Sequence, residues 1–184
     1  MAGIDEVGRG PWAGPVVAAA VIFDPRNIPD GIDDSKRVRP ARRVELAARI
    51  HATAAVGIGW ASVAEIEELN ILGASDLAMA RAVAALPEAP AALLVDGTRV
   101  PAALTAPGEA LKGGDGRALS VAAASIVAKV ARDAWMSELA TGFPGYGWDR
   151  NMGYGTREHR AALERLGCTP HHRRKFRPVA EILV

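Results

Sequence analysis

Apolar residues come in short blocks whose spacing changes along the chain. Residues 2–7 and 16–23 are apolar runs on either side of a Gly/Pro-rich stretch, and they predict the two strands of a hairpin. Pro40 opens a stretch to about Thr53 with Val44, Ile50 and several alanines on one face, the pattern of a helix with proline in its first turn. Residues 54–61 (AAVGIGWA) predict a third strand. Ser62 and Glu65 have the spacing of a capping box opening a short helix, and a further helix over about 75–86 is stopped by Pro87. Residues 91–96 (AALLVD) are continuously apolar up to Asp96, as in a buried parallel strand. The longest helix spans 118–139, with Leu119, Ala123, Ile126 and Val130 on one stripe. After a loop rich in Gly, Trp and Tyr, Thr156 is the N-cap of a helix to about Leu166, closed by Gly167. A hairpin followed by strands alternating with helices predicts an α/β fold with a mixed sheet.

Length and composition narrow this picture. A chain of 184 residues suits a single domain with a sizeable core, and the alanine-rich apolar fraction predicts a core of small side chains. The one cysteine, Cys168, excludes an intramolecular disulfide and cysteine-rich metal clusters. No stretch reaches about 18 uninterrupted apolar residues and no basic-then-apolar leader is evident, so no membrane association and a cytoplasmic location are expected. Net charge is near zero, with 22 Lys/Arg against 21 Asp/Glu. Its distribution is uneven: Arg150, Arg157, Arg160, Arg165, Arg173, Arg174, Lys175 and Arg177 crowd the C-terminal part beside His159, His171 and His172. This is either a patch for an anionic partner or a solvated helix face and tail.

Four acids carry the candidate chemistry. Asp5 and Glu6 lie in the first strand between Ile4 and Val7, where an ionised pair is costly without a compensating cation. Strand alternation sends neighbouring side chains to opposite faces, so either Glu6 already belongs to the turn or one of the two is structural; a solvated strand-end pair is the plain alternative. Asp96 ends an apolar strand, where ligands bind in α/β sheets, or it simply starts an Asp-Gly turn. Asp133 falls on the apolar stripe of the longest helix and needs a partner, either a ligand or a buried arginine, unless it sits at the core's rim. Carboxylates without Cys or paired His point to hard oxygen ligation of Mg²⁺ or Mn²⁺, two ions about 3.5–4 Å apart in phosphodiester hydrolysis. The Gly8-Arg9-Gly10 turn lets backbone approach a ligand, or is a plain hairpin turn. Tyr154, among glycines beside the basic segment, stacks on a sugar or anchors its loop.

The run GIDEVGRGPWAGPVVAAAV at 3–21, DDSKRV at 33–38, VDG at 95–97, KGGDGRALSVAAASIVAKVARD at 112–133, FPGYGWDRNMGYGTREH at 143–159 and HHRRKFRPV at 171–179 together resemble ribonuclease HII, in that family's order and over nearly the whole chain. Gly-Arg-Gly in place of Gly-Ser-Gly distinguishes the pattern from ribonuclease HIII. The resemblance implies a ribonuclease H-like fold: one catalytic domain over 1–184, with a five-stranded mixed sheet flanked by helices and a C-terminal helical extension from about 141 that binds substrate. It implies that Asp5, Glu6, Asp96 and Asp133 bind two divalent ions, Mg²⁺ or Mn²⁺. It also implies that Gly8, Arg9 and Gly10 read the ribonucleotide 2′-hydroxyl and that Tyr154 packs at the RNA-to-DNA junction. Lys36, Ser125 and Lys129 are implied phosphate contacts. The implied substrates are RNA–DNA hybrids and DNA duplexes with embedded ribonucleotides, cut 5′ of the ribonucleotide to leave 5′-phosphate and 3′-hydroxyl ends, by an enzyme expected to be a monomer. Two rivals remain: a nuclease or integrase of the same fold acting on DNA alone, and a non-catalytic hybrid-binding module.

Overall fold

The computed structural model describes residues 1–182. Strands β1 (Ala2–Val7) and β2 (Val16–Phe23) form the expected hairpin, with Asp5 opposite Ala19 and Glu6 opposite Ala18. β3 (Ala54–Ala61) pairs antiparallel with the outer side of β2, while β4 (Leu93–Asp96) lies parallel to β1. A fifth strand, β5 (Gly108–Leu111), pairs parallel with β4 and completes a mixed sheet of order β3-β2-β1-β4-β5.

Both faces of this sheet are covered, which is why β2 reads as an unbroken apolar run. Val16, Ala18 and Ala20 face one core with Ile4, Leu93 and Val95, covered by Ile66, Ala74, Ala78, Met79 and Ala82 of α2 (Val63–Ala84). Val17, Ala19 and Val21 face the other, covered by α1 (Pro40–Thr53) and α3 (Leu119–Gly142) through Leu46, Ala47, Ile50, Ala123, Ile126 and Val127. The small side chains let helix and sheet meet closely. A Cβ at Gly57 or Gly59 of β3 would run into the carbonyl oxygens of Ala82 and Ala78 in α2, and one at Gly3 into the main chain of α3 at Ser120.

The helices depart from the sequence pattern at three points. The capping box at Ser62 and Glu65 forms, but α2 runs on to Asn70, which breaks it with φ 61°. The Asn70 side chain accepts from the Leu72 and Gly73 amides and so caps a second segment that begins before residue 75. Val44 is 58% exposed and Leu119 51% exposed, so neither belongs to a buried stripe. Leu119 is the first residue of α3, at a helix end beyond the edge of the core.

A third core joins the C-terminal part to α3. Met136 packs with Ala13, Tyr146, Trp148, Ala162, Leu163 and Val179, drawing in α4 (Trp148–Asn151), α5 (Arg157–Leu166) and α6 (Arg177–Ala180). Thr156 caps α5 as expected, accepting from the His159 amide. The basic segment is only partly a free patch. Arg173 is fully buried, His159 and His172 are buried, and Arg150, Arg160 and Arg177 are paired with nearby acids. Among the described residues no helix is long and apolar enough to cross a membrane.

Candidate active site at the strand ends

The parallel pairing of β1 with β4 puts Asp5 and Asp96 at the carboxyl ends of neighbouring central strands, one step past the Ile4–Val95 pair. The pleat then divides the adjacent acids. Asp5 shares a face with Val17 and Ala19 and lies under α3, beside the Ser125 hydroxyl; Glu6 takes the α2 face and lines a groove of about 240 Å³ with Arg9, Ser75, Met79, Asp96 and Arg99. Glu6 is therefore a strand residue rather than part of the turn, and Asp96 is the acid whose charge is felt by both.

The electrostatics of the group are unfavourable without a cation. Burial, then the Glu6 and Asp96 charges, push the Asp5 carboxyl well above its ordinary range, against the hydrogen bonds from Ser125 and the Glu6 amide. Burial also raises Glu6, opposed by Arg9, whose Nη1 donates to Glu6 Oε1 at 3.2 Å. The other carboxylate oxygen, Glu6 Oε2, is buried and has no hydrogen-bond partner among the described residues. Asp96 is held by the Gly114 amide, which donates to Oδ1 at 2.7 Å. An orphaned oxygen among mutually repelling carboxylates is the donor chemistry of a hard divalent cation. The acids are nonetheless not drawn together into a ligand shell: among the described residues no three Asp, Glu, His or Cys stand close enough to hold an ion.

Asp133 lies further out. Ser125, Lys129 and Asp133 recur every fourth residue along one face of α3, so Asp133 sits roughly 12 Å along the axis from Ser125. Its protein partner is not a buried arginine but Lys129, whose Nζ donates to Oδ1 at 2.8 Å. Ser125 itself is buried and shares a 2.8 Å hydrogen bond with Ser35. Lys36 is exposed and paired with Asp115 at 3.1 Å, and that hydrogen bond raises its pKa.

The turn after β1 continues the site. From Arg9 the chain passes to Gly10, where a Cβ would stand 3.7 Å from the Tyr154 ring. Tyr154 is 41% exposed but its main chain is anchored: the Tyr154 carbonyl accepts from His159 Nδ1 at 2.9 Å. With that proton on Nδ1, His159 Nε2 is the acceptor for Trp148 Nε1 and His172 Nε2, both at 3.1 Å. His172 Nδ1 in turn accepts from the Thr169 amide at 3.0 Å. Burial holds both imidazoles neutral, His172 down to about 3.

Sequence reasoning passed over Arg132, next to Asp133, and counted Arg173 only as part of a charged stretch. Both are fully buried behind the turn. The available signal was Arg132 itself, an arginine between Ala131 and Asp133 on a helix otherwise rich in small apolar residues.

This arrangement has known counterparts. The family model for ribonuclease HII matches residues 2–179. The chain is 61% identical over 183 residues to the ribonuclease HII of Ruegeria pomeroyi, covering 100% of this chain and 78% of that one. Its fold is similar to the crystal structure of ribonuclease H2 from Pyrococcus horikoshii, with TM-score 0.85, 27% identity and coverage of 98% and 95%. It is also similar in fold to Bst-RNase HIII solved in complex with Mn²⁺, with TM-score 0.74, 20% identity and coverage of 99% and 68%. The chain belongs to the ribonuclease HII family: it is a ribonuclease H hydrolase, an endonuclease for the RNA of RNA–DNA hybrids.

Proposed function

We propose that the enzyme also nicks DNA duplexes on the 5′ side of single embedded ribonucleotides, and that Asp5, Glu6, Asp96 and Asp133 hold two divalent ions, Mg²⁺ or Mn²⁺, for the reaction. The observation that supports this is the unbroken run from Asp96 through Glu6 and Arg9 to Gly10 and the Tyr154 ring along one edge of the molecule. Metal dependence is general in the family. When bound, the ions supply an activated water and neutralise charge on the leaving 3′-oxygen.

The chain's own residues do the rest. Asp5, Glu6 and Asp96 present carboxylate oxygens at the strand ends, and Lys129 gives up Asp133 when a stronger cation competes for it. Gly8, Arg9 and Gly10 offer main-chain groups to the 2′-hydroxyl, the feature by which a protein tells RNA from DNA. The Tyr154 ring packs on the deoxyribose that follows. Lys36 and Lys129 serve as phosphate contacts, with Ser125 behind Asp5. The region from about 141 onward, which carries Tyr154, is the substrate-binding extension of a single catalytic domain.

The test is cleavage of a duplex with one ribonucleotide, beside an all-DNA duplex and a long hybrid, in Mg²⁺ and in Mn²⁺ with end mapping. The expected result is a single nick 5′ of the ribonucleotide, with 5′-phosphate and 3′-hydroxyl ends and no cut in all-DNA. Asp96→Asn should abolish it while hybrid binding survives. Cleavage of the long hybrid alone would overturn the proposal.

A further inference from the structure

Arg132 and Arg173 are fully buried, and no carboxylate is paired with either among the described residues. A guanidinium taken out of water without a counter-charge is costly unless its five N–H donors find acceptors. Here the acceptors are main-chain carbonyls, and all but one belong to the turn between β1 and β2. Arg132 donates from Nε to Pro15 O at 2.9 Å and from Nη2 to Ala13 O at 3.1 Å, with Nη1 on Met152 O at 2.9 Å. Arg173 donates from Nε to Gly14 O at 2.9 Å, from Nη1 to Arg9 O at 2.9 Å, and from Nη2 to Gly8 O at 2.6 Å. Phe176 lies under the Arg173 guanidinium at 5.1 Å.

The peptide plane carries this grip to the other side of the turn. In a trans peptide the carbonyl of one residue and the N–H of the next point in opposite directions. With the carbonyls of Gly8 and Arg9 turned inward, the N–H groups of Arg9 and Gly10 face outward, and neither donates to any other group among the described residues. Gly8 has φ 93°, and a Cβ there would strike the Arg132 side chain, so the backbone rests directly on the guanidinium. Burial pushes Arg132 down to about 10 and Arg173 to about 9, which leaves both charged at neutral pH beneath the outward amides.

We infer that Arg132 and Arg173 are positioning residues. Their hold on the turn's carbonyls fixes the Arg9 and Gly10 amides as outward donors to the substrate's ribose-phosphate backbone. This rests on the reading of the turn given above. Neither arginine touches substrate; each acts through main chain. A lysine keeps the charge but offers a compact ammonium in place of the fork, so it cannot hold several carbonyls at once.

The experiment uses the full chain in EDTA, where substrate binds without being cut. Affinity for an RNA–DNA hybrid and for an all-DNA duplex of the same sequence is measured for wild type, Arg173→Lys and Arg132→Lys, with thermal melting as the check on folding. The expected result is a loss of about tenfold or more for the hybrid and little change for all-DNA. Folded variants that lose both affinities equally, or neither, overturn the inference. A second measurement stands whether or not the variants fold. In wild type, ¹⁵N relaxation should show the Arg9 and Gly10 amides as ordered as β1, and hybrid should shift both; disorder there in the free protein also overturns it. A wild type that does not distinguish the hybrid from all-DNA would instead remove the ribose reading of the turn, while amide order still reports on the grip itself.

Discussion

Two groups of buried polar side chains lie within one chain, and they are treated in opposite ways. Behind the turn, His159, His172, Trp148, Arg132 and Arg173 form hydrogen bonds on their ring nitrogens and guanidinium groups, with main-chain carbonyls and the His159 ring as acceptors. At the strand ends Asp5 and Glu6 lie buried beside like charges, one oxygen of Glu6 has no partner among the described residues, and both acids are pushed toward their protonated forms. The first group has what it needs from the protein. The second is left with like charges that the protein does not neutralise, which is the deficit that the proposed metal ions would fill. Burial alone therefore does not separate structural from functional polar residues; the state of their hydrogen bonding does.

The largest effect should come from removing the deficit. Asp5→Asn is expected to abolish hybrid cleavage and, in EDTA, to raise the melting temperature, because a buried carboxylate beside Glu6 and Asp96 is replaced by a neutral amide. If melting falls while cleavage persists, Asp5 belongs with the structural group. In the other region the sign reverses. His159→Ala leaves the Trp148 and His172 N–H groups without their acceptor and should cost on the order of 3 kcal/mol in urea denaturation. A loss well below 1 kcal/mol would show that this network is not held as described.

The two groups should also answer pH in opposite directions. Asp5 and Glu6 have folded pKa values raised above their unfolded ones. They therefore favour the metal-free fold increasingly as pH falls from the raised values toward about 4. His172 is depressed to about 3, so its contribution is complete above about pH 6.5 and is lost as pH falls below that. Stability against pH in EDTA should steepen on the acid side in Asp5→Asn and flatten in His172→Gln; identical slopes in all three proteins would erase the distinction. Tyr154 stands on the border, its carbonyl in the saturated network and its ring at Gly10. Tyr154→Phe should change cleavage of a single-ribonucleotide duplex by no more than about 0.5–1.5 kcal/mol in kcat/KM. Tyr154→Ala should lose more there than on a long hybrid, and equal losses would confine Tyr154 to the structural side.

What the sequence made legible follows the range of the interactions. β1, β2, β3 and β4, the capping box at Ser62 and the cap at Thr156 were readable because apolar runs and caps act within a few residues. β5 was invisible to the residue pattern, since Gly-Glu-Ala-Leu is short and mostly exposed and becomes a strand through its pairing with β4. The break of α2 at Asn70 was in principle visible, as asparagine is a good N-cap. It was hidden by the apolar residues on either side. The pleat foretold that Asp5 and Glu6 would part, and the strand end foretold the place of Asp96. Arg132 stood out in its helix, but its role was unreadable because two of the three carbonyls that hold it belong to residues 117 and 119 positions away. Lys129 as partner to Asp133 needed only the four-residue spacing of a helix, and was overlooked while a ligand or a buried arginine was considered.

The contacts at Gly3, Gly57 and Gly59 bear on how the enzyme can change over time. A helix that meets a sheet through its own main chain has no side-chain layer between them to take up small errors. In most α/β layers a methyl group gained on one surface is absorbed by a rotamer change on the other. At these three points there is no rotamer to change. Enlarging Gly57 or Gly59 lifts α2 and with it the wall of the Glu6 groove, and enlarging Gly3 lifts α3, which carries both Ser125 and Asp133. Steric constraint is therefore tight even at positions that line no part of the site. The close seating of α3 at Gly3 thereby sets how far Asp133 on the helix stands from Asp5 on the sheet.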